Sequence, residues 1–232
     1  MKAEVRGINK VRTRTNGSTR DYVYETIKKQ IIHCELEPET KISENEIATK
    51  LNVSRTPVRE AFLKLAEEEL LGIYPQSGTF VTKIDLELVE EGRFIRENIE
   101  KAIVRDACGS FNQEQLMKIE KNLVMQELCL EKGLIPDLFE LDESFHLLLF
   151  EGCRKVRSFK MIRHMNSHFD RVRMLSISSA LNWSVLFDQH KAIFQYISEN
   201  KPDLAEDTMA QHLKLVNFEK EELISRYPNY FK

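Results

Sequence analysis

Residues 51–61 read LNVSRTPVREA, and this stretch decides the fold of the first part of the chain. Asn52 tolerates a left-handed backbone, which suits a tight turn after a helix. A new helix is predicted to begin at Ser54, since Pro57 then lies in the first turn, where proline needs no hydrogen-bond donor. The stretch therefore predicts the turn and the second helix of a helix-turn-helix.

The sequence on either side completes that unit. A helix is predicted from Ser18, with apolar residues at helical spacing behind a Ser-Thr start, and a second helix from Ser43 to Leu51. Ile73-Tyr74 and Thr79–Val81 predict two short strands around a turn that contains Gly78. Three helices followed by a β-hairpin predict a winged helix-turn-helix over residues 18–83.

Polar side chains mark the start of the predicted third helix. Ser54, Arg55 and Thr56 project from the end that enters a major groove, and Arg59 follows one turn later. An ordinary amphipathic helix with exposed arginines would show the same residues. The helix before the turn and the hairpin after the third helix favour DNA binding over that alternative.

After Asp85 the sequence predicts helices only. Gly and Pro together number 14 of 232 residues, too few for a many-turned β-fold. Six helical stretches are predicted, at about 85–109, 112–132, 136–152, 155–180, 184–199 and 202–226. The fold class is therefore mainly α, with an all-α bundle of about six helices over residues 84–232.

Charge and cysteine content point to the compartment and to a partner. The formal net charge is −3, yet residues 1–20 carry six basic side chains against one acid. Residues 1–17 are read as a flexible basic tail, which either meets a polyanion or is simply solvated.

Four cysteines without CxxC spacing, and no apolar run near 18 residues, predict a cytoplasmic protein without membrane contact.

Four residues of the predicted bundle have side chains that bind metals. Asp142 and His146 lie four residues apart and share a helix face, while His190 and His212 lie on two later helices. One carboxylate and three imidazoles suit a divalent transition metal, with Zn²⁺ or Ni²⁺ favoured. From spacing alone, three scattered histidines are more often separate core or surface residues than metal ligands.

Residues 18–83 resemble the DNA-binding domain of the GntR family of bacterial transcription regulators. The resemblance rests on residues 42–48, on the 51–61 stretch and on Gly78-Thr79-Phe80-Val81. It implies that Arg55, Thr56 and Arg59 contact operator DNA and that the wing at Gly78 touches the adjacent minor groove. Asn52 and Glu69 stand where this family favours glycine.

Residues 85–226 resemble the helical FCD effector domain of the FadR subfamily. Many such domains bind a metal through an Asp-x-x-x-His pair and two later histidines, positions held here by Asp142, His146, His190 and His212. The resemblance also implies that Arg96, on the first helix of the bundle, meets the carboxylate of a small effector. Gly152-Cys153 departs from the pattern, because an Asn commonly follows the glycine.

The two resemblances together imply a transcriptional regulator, a repressor, that binds double-stranded operator DNA as a homodimer and answers a small carboxylate. A metal-dependent enzyme acting on a small organic acid and a metal-ion sensor remain as alternatives. His164 and His168 also have HxxxH spacing, but Arg163 and Arg171 beside them oppose a cation. This pair is predicted to be packing or surface residues.

Overall fold

The computed structural model describes residues 18–178, 183–218 and 220–232. The basic tail predicted over residues 1–17 lies outside the described residues. The first unit holds three helices, α1 Thr19–Ile32, α2 Glu44–Leu51 and α3 Arg55–Glu67, and three short strands, β1 Lys41–Ile42, β2 Leu71–Tyr74 and β3 Gly78–Val81. The strands form one antiparallel sheet in the order β1-β3-β2.

Local sequence explains where these helices begin and end. The Ser18 hydroxyl accepts the Asp21 N–H at the start of α1, and Ser43 caps α2 through the Glu46 N–H. Asn52 adopts the left-handed conformation expected of it, with φ 54°. The two-residue strand β1 was not predicted, because Lys41 and Ile42 are too short a run to show strand alternation.

Apolar side chains on α1 and α3 form the core beneath the sheet. Val23, Ile27 and Ile31 of α1 pack on α3 and are fully buried. Val58 and Leu65 of α3 are fully buried as well. Burial of one face of α3 leaves the opposite face, with its arginines, in solvent.

The remainder of the described chain is helical and begins after a short linker, residues 82–85. Its helices are α4 Leu86–Ala107, α5 Gln113–Lys132, α6 Ile135–Gly152, α7 Val156–Met165, α8 Ser167–Ser178, α9 Trp183–Ser198, α10 Pro202–Phe218 and α11 Lys220–Arg226. One of the six predicted stretches is divided: the stretch 155–180 breaks at Asn166, which packs against Gly92 of α4. The stretch 202–226 is helical in both of its described parts, α10 and α11. Asn and Ser have lower helix propensity than Leu, Glu or Lys, which is consistent with a break at Asn166-Ser167.

The bundle packs around aromatic and aliphatic side chains from α4, α5, α6, α9 and α10. Phe145, Leu149 and Phe150 of α6 are fully buried, as are Ile119 of α5 and Ile193 of α9. Because α6 turns this face inward, residues one turn along the same face also point into the centre of the bundle. This places Asp142 and His146 among buried side chains.

The last described residues return to the linker between the two units. The Ile84 N–H donates to the Tyr230 carbonyl at 2.7 Å, and the Lys232 N–H donates to the Ile84 carbonyl at 3.1 Å. The Lys232 ammonium also reaches the Asp85 carboxylate at 2.5 Å. The linker is therefore held from one side by the final segment of the chain.

All four cysteines are free, with Cys129 buried and the others partly buried. None of the described helices is both long enough and apolar enough to cross a bilayer.

Candidate DNA-binding surface and metal site

The predicted DNA-contacting residues of α3 lie together on its exposed face. Ser54, Arg55, Thr56 and Arg59 are all exposed. Arg55 makes one ion pair, 3.3 Å to Glu44, in which the arginine side chain stays 66% exposed. A pair so open to solvent contributes little stability, so phosphate can replace Glu44 at little cost.

An open groove lies between the start of α1 and the start of α3. Its lining comes from residues 18–20, 52–54, 56, 57 and 60. Ser54 stands at the N-cap of α3 but makes no capping hydrogen bond with its side chain. The backbone N–H groups at this helix start face a groove that suits a phosphate.

The wing is the β2–β3 hairpin, and Gly78 begins its second strand. Gly78 has φ +119°, and a Cβ at this position would lie 2.6 Å from Lys41 Cε. The positive φ favours glycine, whereas the flexible Lys41 side chain could move away from a Cβ. The structure therefore gives Gly78 a backbone role, while its contact with a minor groove stays a prediction.

The four candidate metal ligands come together inside the bundle. Asp142 and His146 come from α6, His190 from α9 and His212 from α10, and each is at most 4% exposed. One ligand atom from each residue lies within 4.8 Å of every other. The structure thus joins residues up to 70 positions apart in the sequence.

The Nε2 atoms of the three imidazoles face one another. His212 Nε2 lies 3.3 Å from His190 Nε2 and 3.2 Å from His146 Nε2. His190 Nε2 lies 3.6 Å from Asp142 Oδ1, and His146 Nε2 lies 3.9 Å from Asp142 Oδ2. Four electron-pair donors therefore surround one point.

Side chains that the sequence analysis missed bind the outward nitrogen of each histidine. His146 Nδ1 meets Glu100 of α4, His190 Nδ1 lies 2.9 Å from Gln126 Oε1, and His212 Nδ1 lies 3.2 Å from Gln189 Oε1. Each acceptor oxygen holds the proton on Nδ1 and leaves the Nε2 lone pair free, as metal-binding histidines require. No sequence motif marks these three residues, because each lies on a different helix.

The protonation states of the cluster suit a cation. Burial lowers the pKa of His190 to about 3, and it also holds the pKa of His212 well below its usual value. Burial opposes ionisation of Asp142, but the charges of Arg173 and the neighbouring histidines hold the pKa of this carboxyl below its usual range. The site is thus two neutral imidazoles and an ionised carboxylate beside His146.

Two buried arginines flank the cluster. Arg96 donates through Nε to Glu100, the carboxylate that also meets His146. Arg173 of α8 contacts Asp142 and lies 2.5 Å from Glu143 Oε1 and 2.8 Å from Asp170 Oδ1. Arg173 was not singled out in the sequence, although it is the arginine in contact with a candidate ligand.

A cavity of about 20 Å³ adjoins the cluster, enough for roughly one water. Asp142, Arg173 and His212 line it, together with Phe169, Ser176, Leu186 and Leu213. Among the described residues, Arg96 is not part of this lining. Its predicted contact with an effector stays a prediction.

A winged helix-turn-helix joined to a helical domain with an internal Asp/His₃ cluster defines a class of two-domain DNA-binding proteins. Residues 19–81 match the family described as "Bacterial regulatory proteins, gntR family", and residues 93–215 match the FCD domain. The chain belongs to the GntR family and carries an FCD domain. It is a DNA-binding transcriptional regulator and not an enzyme.

Curated relatives agree with this assignment. The chain is 37% identical over 195 residues to the HTH-type transcriptional repressor RspR of Escherichia coli (strain K12), covering 84% of this chain and 86% of RspR. It is 32% identical over 221 residues to an HTH-type transcriptional regulator of Streptomyces ambofaciens, covering 94% and 92% of the two chains.

Solved structures share the fold. E. coli McbR/YncC superposes with a TM-score of 0.77 at 18% identity, over 91% of this chain and 99% of that one. A GntR regulator from Rhodococcus sp. RHA1 superposes with a TM-score of 0.72 at 20% identity, over 90% and 98%. At this identity the similarity concerns the fold alone.

Proposed function

We propose that the protein is a transcriptional repressor that binds operator DNA as a homodimer and responds to a small carboxylate at a metal site in its FCD domain. The metal is a divalent transition ion, Zn²⁺ or Ni²⁺, held by Asp142, His146, His190 and His212. The observation that carries the proposal is the convergence of three Nε2 atoms on one point.

The Nε2 lone pairs of His190 and His212 repel one another at 3.3 Å, because burial lowers the pKa of both imidazoles and keeps them neutral. A cation among them removes this repulsion. A tetrahedral ion with metal–nitrogen bonds of about 2.0–2.1 Å separates its nitrogen ligands by about 3.3–3.4 Å. The distances of 3.2 and 3.3 Å between Nε2 atoms match that spacing.

A bound ion supplies Lewis-acid coordination positions for the oxygen atoms of an effector. The protein supplies charge around it, because Arg96 and Arg173 both lie beside the ligands or their hydrogen-bond partners. In this proposal Arg96 meets the effector carboxylate by charge-assisted hydrogen bonds. Glu100 is the group that Arg96 exchanges for that carboxylate.

The repressor assignment is supported by RspR, which is named a repressor. Homodimer formation is proposed from the family resemblance, and it predicts an inverted-repeat operator because the two-fold symmetry of a dimer is mirrored in its site. Footprinting is expected to protect a short inverted repeat, and protection of one asymmetric site by one chain would contradict the dimer. The cytoplasmic location stays a prediction.

The metal is tested with His190→Ala. Protein purified without chelator and without an affinity-column metal is expected to contain about one divalent ion per chain. His190→Ala is expected to lower both metal content and thermal stability, because an ion bound only to the folded state stabilises that state. Gln195→Ala is the matched control, since this side chain lies on the same helix as His190 but is exposed and outside the cluster. A stoichiometry near zero, with no stabilisation by Zn²⁺, Ni²⁺ or Mn²⁺, would contradict the site.

The DNA-binding surface is tested with Arg55→Ala and Arg59→Ala. Each substitution is expected to weaken operator binding by about 1–3 kcal/mol where the side chain reads a base edge. The control is Arg157→Ala, an exposed arginine on α7 that lies outside the winged domain. Unchanged operator affinity in both α3 variants would show that α3 is not the recognition helix.

A metal-ion sensor is the second candidate function, favoured by the same cluster. Operator affinity measured with and without a chelator separates the two. A sensor changes its affinity with metal alone, whereas a metal-assisted effector site also needs an organic acid.

A further inference from the structure

The end of the recognition helix is held by two separate parts of the protein. Glu68 follows α3 directly, and its side chain is fully buried. From α1, the carboxylate accepts the Tyr24 hydroxyl and the Lys28 ammonium, the latter at 2.5 Å. From the FCD domain, Ser167 Oγ donates to it at 3.1 Å and His164 Nδ1 lies 3.0 Å away.

The backbone of the next residue, Glu69, is also bound by a side chain of the FCD domain. The Glu69 carbonyl accepts a hydrogen bond from His168 Nε2 at 3.2 Å, while His168 Nδ1 accepts the Asp85 N–H of the linker at 3.0 Å. Glu69 itself has φ +57°, a left-handed conformation that is uncommon for a residue with a side chain. One histidine of α8 therefore joins the end of α3 to the linker.

His164, Ser167 and His168 sit at the junction of α7 and α8, and both helices are anchored in the FCD domain. Arg163 of α7 reaches Glu143 of α6 at 2.9 Å. Arg173 of α8 reaches the same carboxylate at 2.5 Å and also contacts Asp142. The junction is thus a firmly held element and not a loose surface loop.

The two donors from α1 are enough to neutralise and satisfy Glu68 within the DNA-binding domain. The two partners from α7 and α8 come from outside the winged domain, so they connect the end of α3 to the FCD domain. Their contribution is to fix where the end of α3 lies relative to the FCD domain. In a dimer joined through its FCD domains, that placement determines the distance between two recognition helices.

We propose that Glu68 is a positioning residue for DNA binding, through which His164 and Ser167 of the FCD domain fix the half-site spacing that the dimer recognises. This proposal rests on the proposed function, since it requires a dimer on two half-sites. It concerns the placement of α3 and not the contacts that α3 makes with bases.

The test uses the full-length double variant His164→Ala/Ser167→Ala, which removes both FCD partners and leaves Tyr24 and Lys28 on Glu68. Ser158→Ala is the matched control, because it removes a hydroxyl from α7 away from the partners of Glu68. The DNA probes are a duplex selected from a random pool by the wild-type protein, the same duplex lengthened by two base pairs between half-sites, and a single half-site.

Wild type and Ser158→Ala are expected to bind the lengthened duplex at least thirtyfold more weakly than the selected duplex. The double variant is expected to lose less than fivefold, because loss of both side-chain contacts with Glu68 loosens the placement of its recognition helices, although His168 still binds the Glu69 carbonyl. All three proteins are expected to bind the single half-site within twofold of one another. A role confined to stability would weaken binding to all three duplexes together.

Two results would overturn the proposal. One is a double variant that discriminates between spacings as strongly as wild type. The other is a double variant that loses affinity for the single half-site to the same extent. If wild type itself occupies the selected duplex as one chain, the dimer of the proposed function is wrong. Hydrogen exchange of residues 64–70 then decides the placement role: faster exchange in the double variant supports the contact with Glu68, and unchanged exchange overturns it.

Discussion

The arginines of the two domains differ in what surrounds them. Arg55 and Arg59 are exposed to solvent on α3, and Arg55 forms a solvent-exposed ion pair with Glu44. Arg96 and Arg173 are buried in the bundle, at 3% and 7% exposure, and each touches carboxylates that are themselves buried. The same side chain therefore has two uses in one molecule.

An exposed arginine is available to a partner from outside, whereas a buried arginine is committed to internal charge. The bundle buries four carboxylates, Glu100, Asp142, Glu143 and Asp170, near two buried arginines. Arginine and histidine neighbours hold the pKa values of Glu100, Asp142 and Glu143 down despite burial, while burial raises that of Asp170. The arginines of the bundle are thus committed to carboxylates inside it, with Arg163 as a further partner of Glu143.

The strongest test of this contrast is Arg173→Met. The substitution leaves Asp142, Glu143 and Asp170 without the guanidinium that they share, and breaking such a buried pair is expected to cost about 3–5 kcal/mol. Urea denaturation of the metal-free protein at pH 7 measures the loss. Arg55→Met, the same change on the exposed surface, is expected to stay within about 0.5 kcal/mol. A loss below about 1 kcal/mol for Arg173→Met would show that buried Arg173 contributes no more to stability than exposed Arg55 does.

The same contrast between buried and exposed groups applies to His168 and His164. Burial lowers the pKa of His168 to about 4, so between pH 6.5 and 4 the unfolded chain binds a proton that the folded chain does not. Stability is therefore expected to fall as pH falls through this window, by at most about 3 kcal/mol from this residue. His168→Gln is expected to flatten the fall, as measured by denaturation at several pH values. His164→Gln, at a half-exposed side chain, serves as the control, and an equal flattening in both variants would contradict the assignment.

A substitution of Glu100 is expected to have a smaller effect, which is confined to the metal site because Glu100 lies between Arg96 and His146. Glu100→Gln removes the carboxylate that orients His146, and loss of such a partner is expected to weaken Zn²⁺ binding tenfold to a hundredfold. Competition with a chelating dye measures the affinity. Glu97→Gln makes the same change one turn earlier, on a carboxylate paired with Arg93, and is expected to bind Zn²⁺ as wild type does. Equal affinities in the two variants would show that Glu100 has no part in the site.

The winged domain could be predicted closely from sequence because its signals are local. Ser18 and Ser43 cap helices, Asn52 makes a left-handed turn, and Gly78 occupies a position that favours glycine. Each of these follows from a few neighbouring residues. The strand β1 escaped prediction because its pairing with β3 is the reason it is a strand.

The helical domain could be predicted in outline only. The four candidate ligands were found through one helical spacing and a resemblance, and the structure brings them together. Glu100, Gln126 and Arg173 escaped notice because their meaning depends on which helices pack side by side. The break at Asn166 escaped for the same reason, since the contact with Gly92 of α4 lies far away in sequence.

The closing of the linker by residues 230–232 has a consequence for the order of events during translation. The winged domain leaves the ribosome first, and domains generally fold as they emerge. The Tyr230 carbonyl and the Lys232 side chain, which bind Ile84 and Asp85, are made roughly 150 residues later. At bacterial elongation rates of about 5–20 residues per second, this delay lasts on the order of ten seconds. For that time a nascent chain carries a folded DNA-reading domain whose linker is still open on one side.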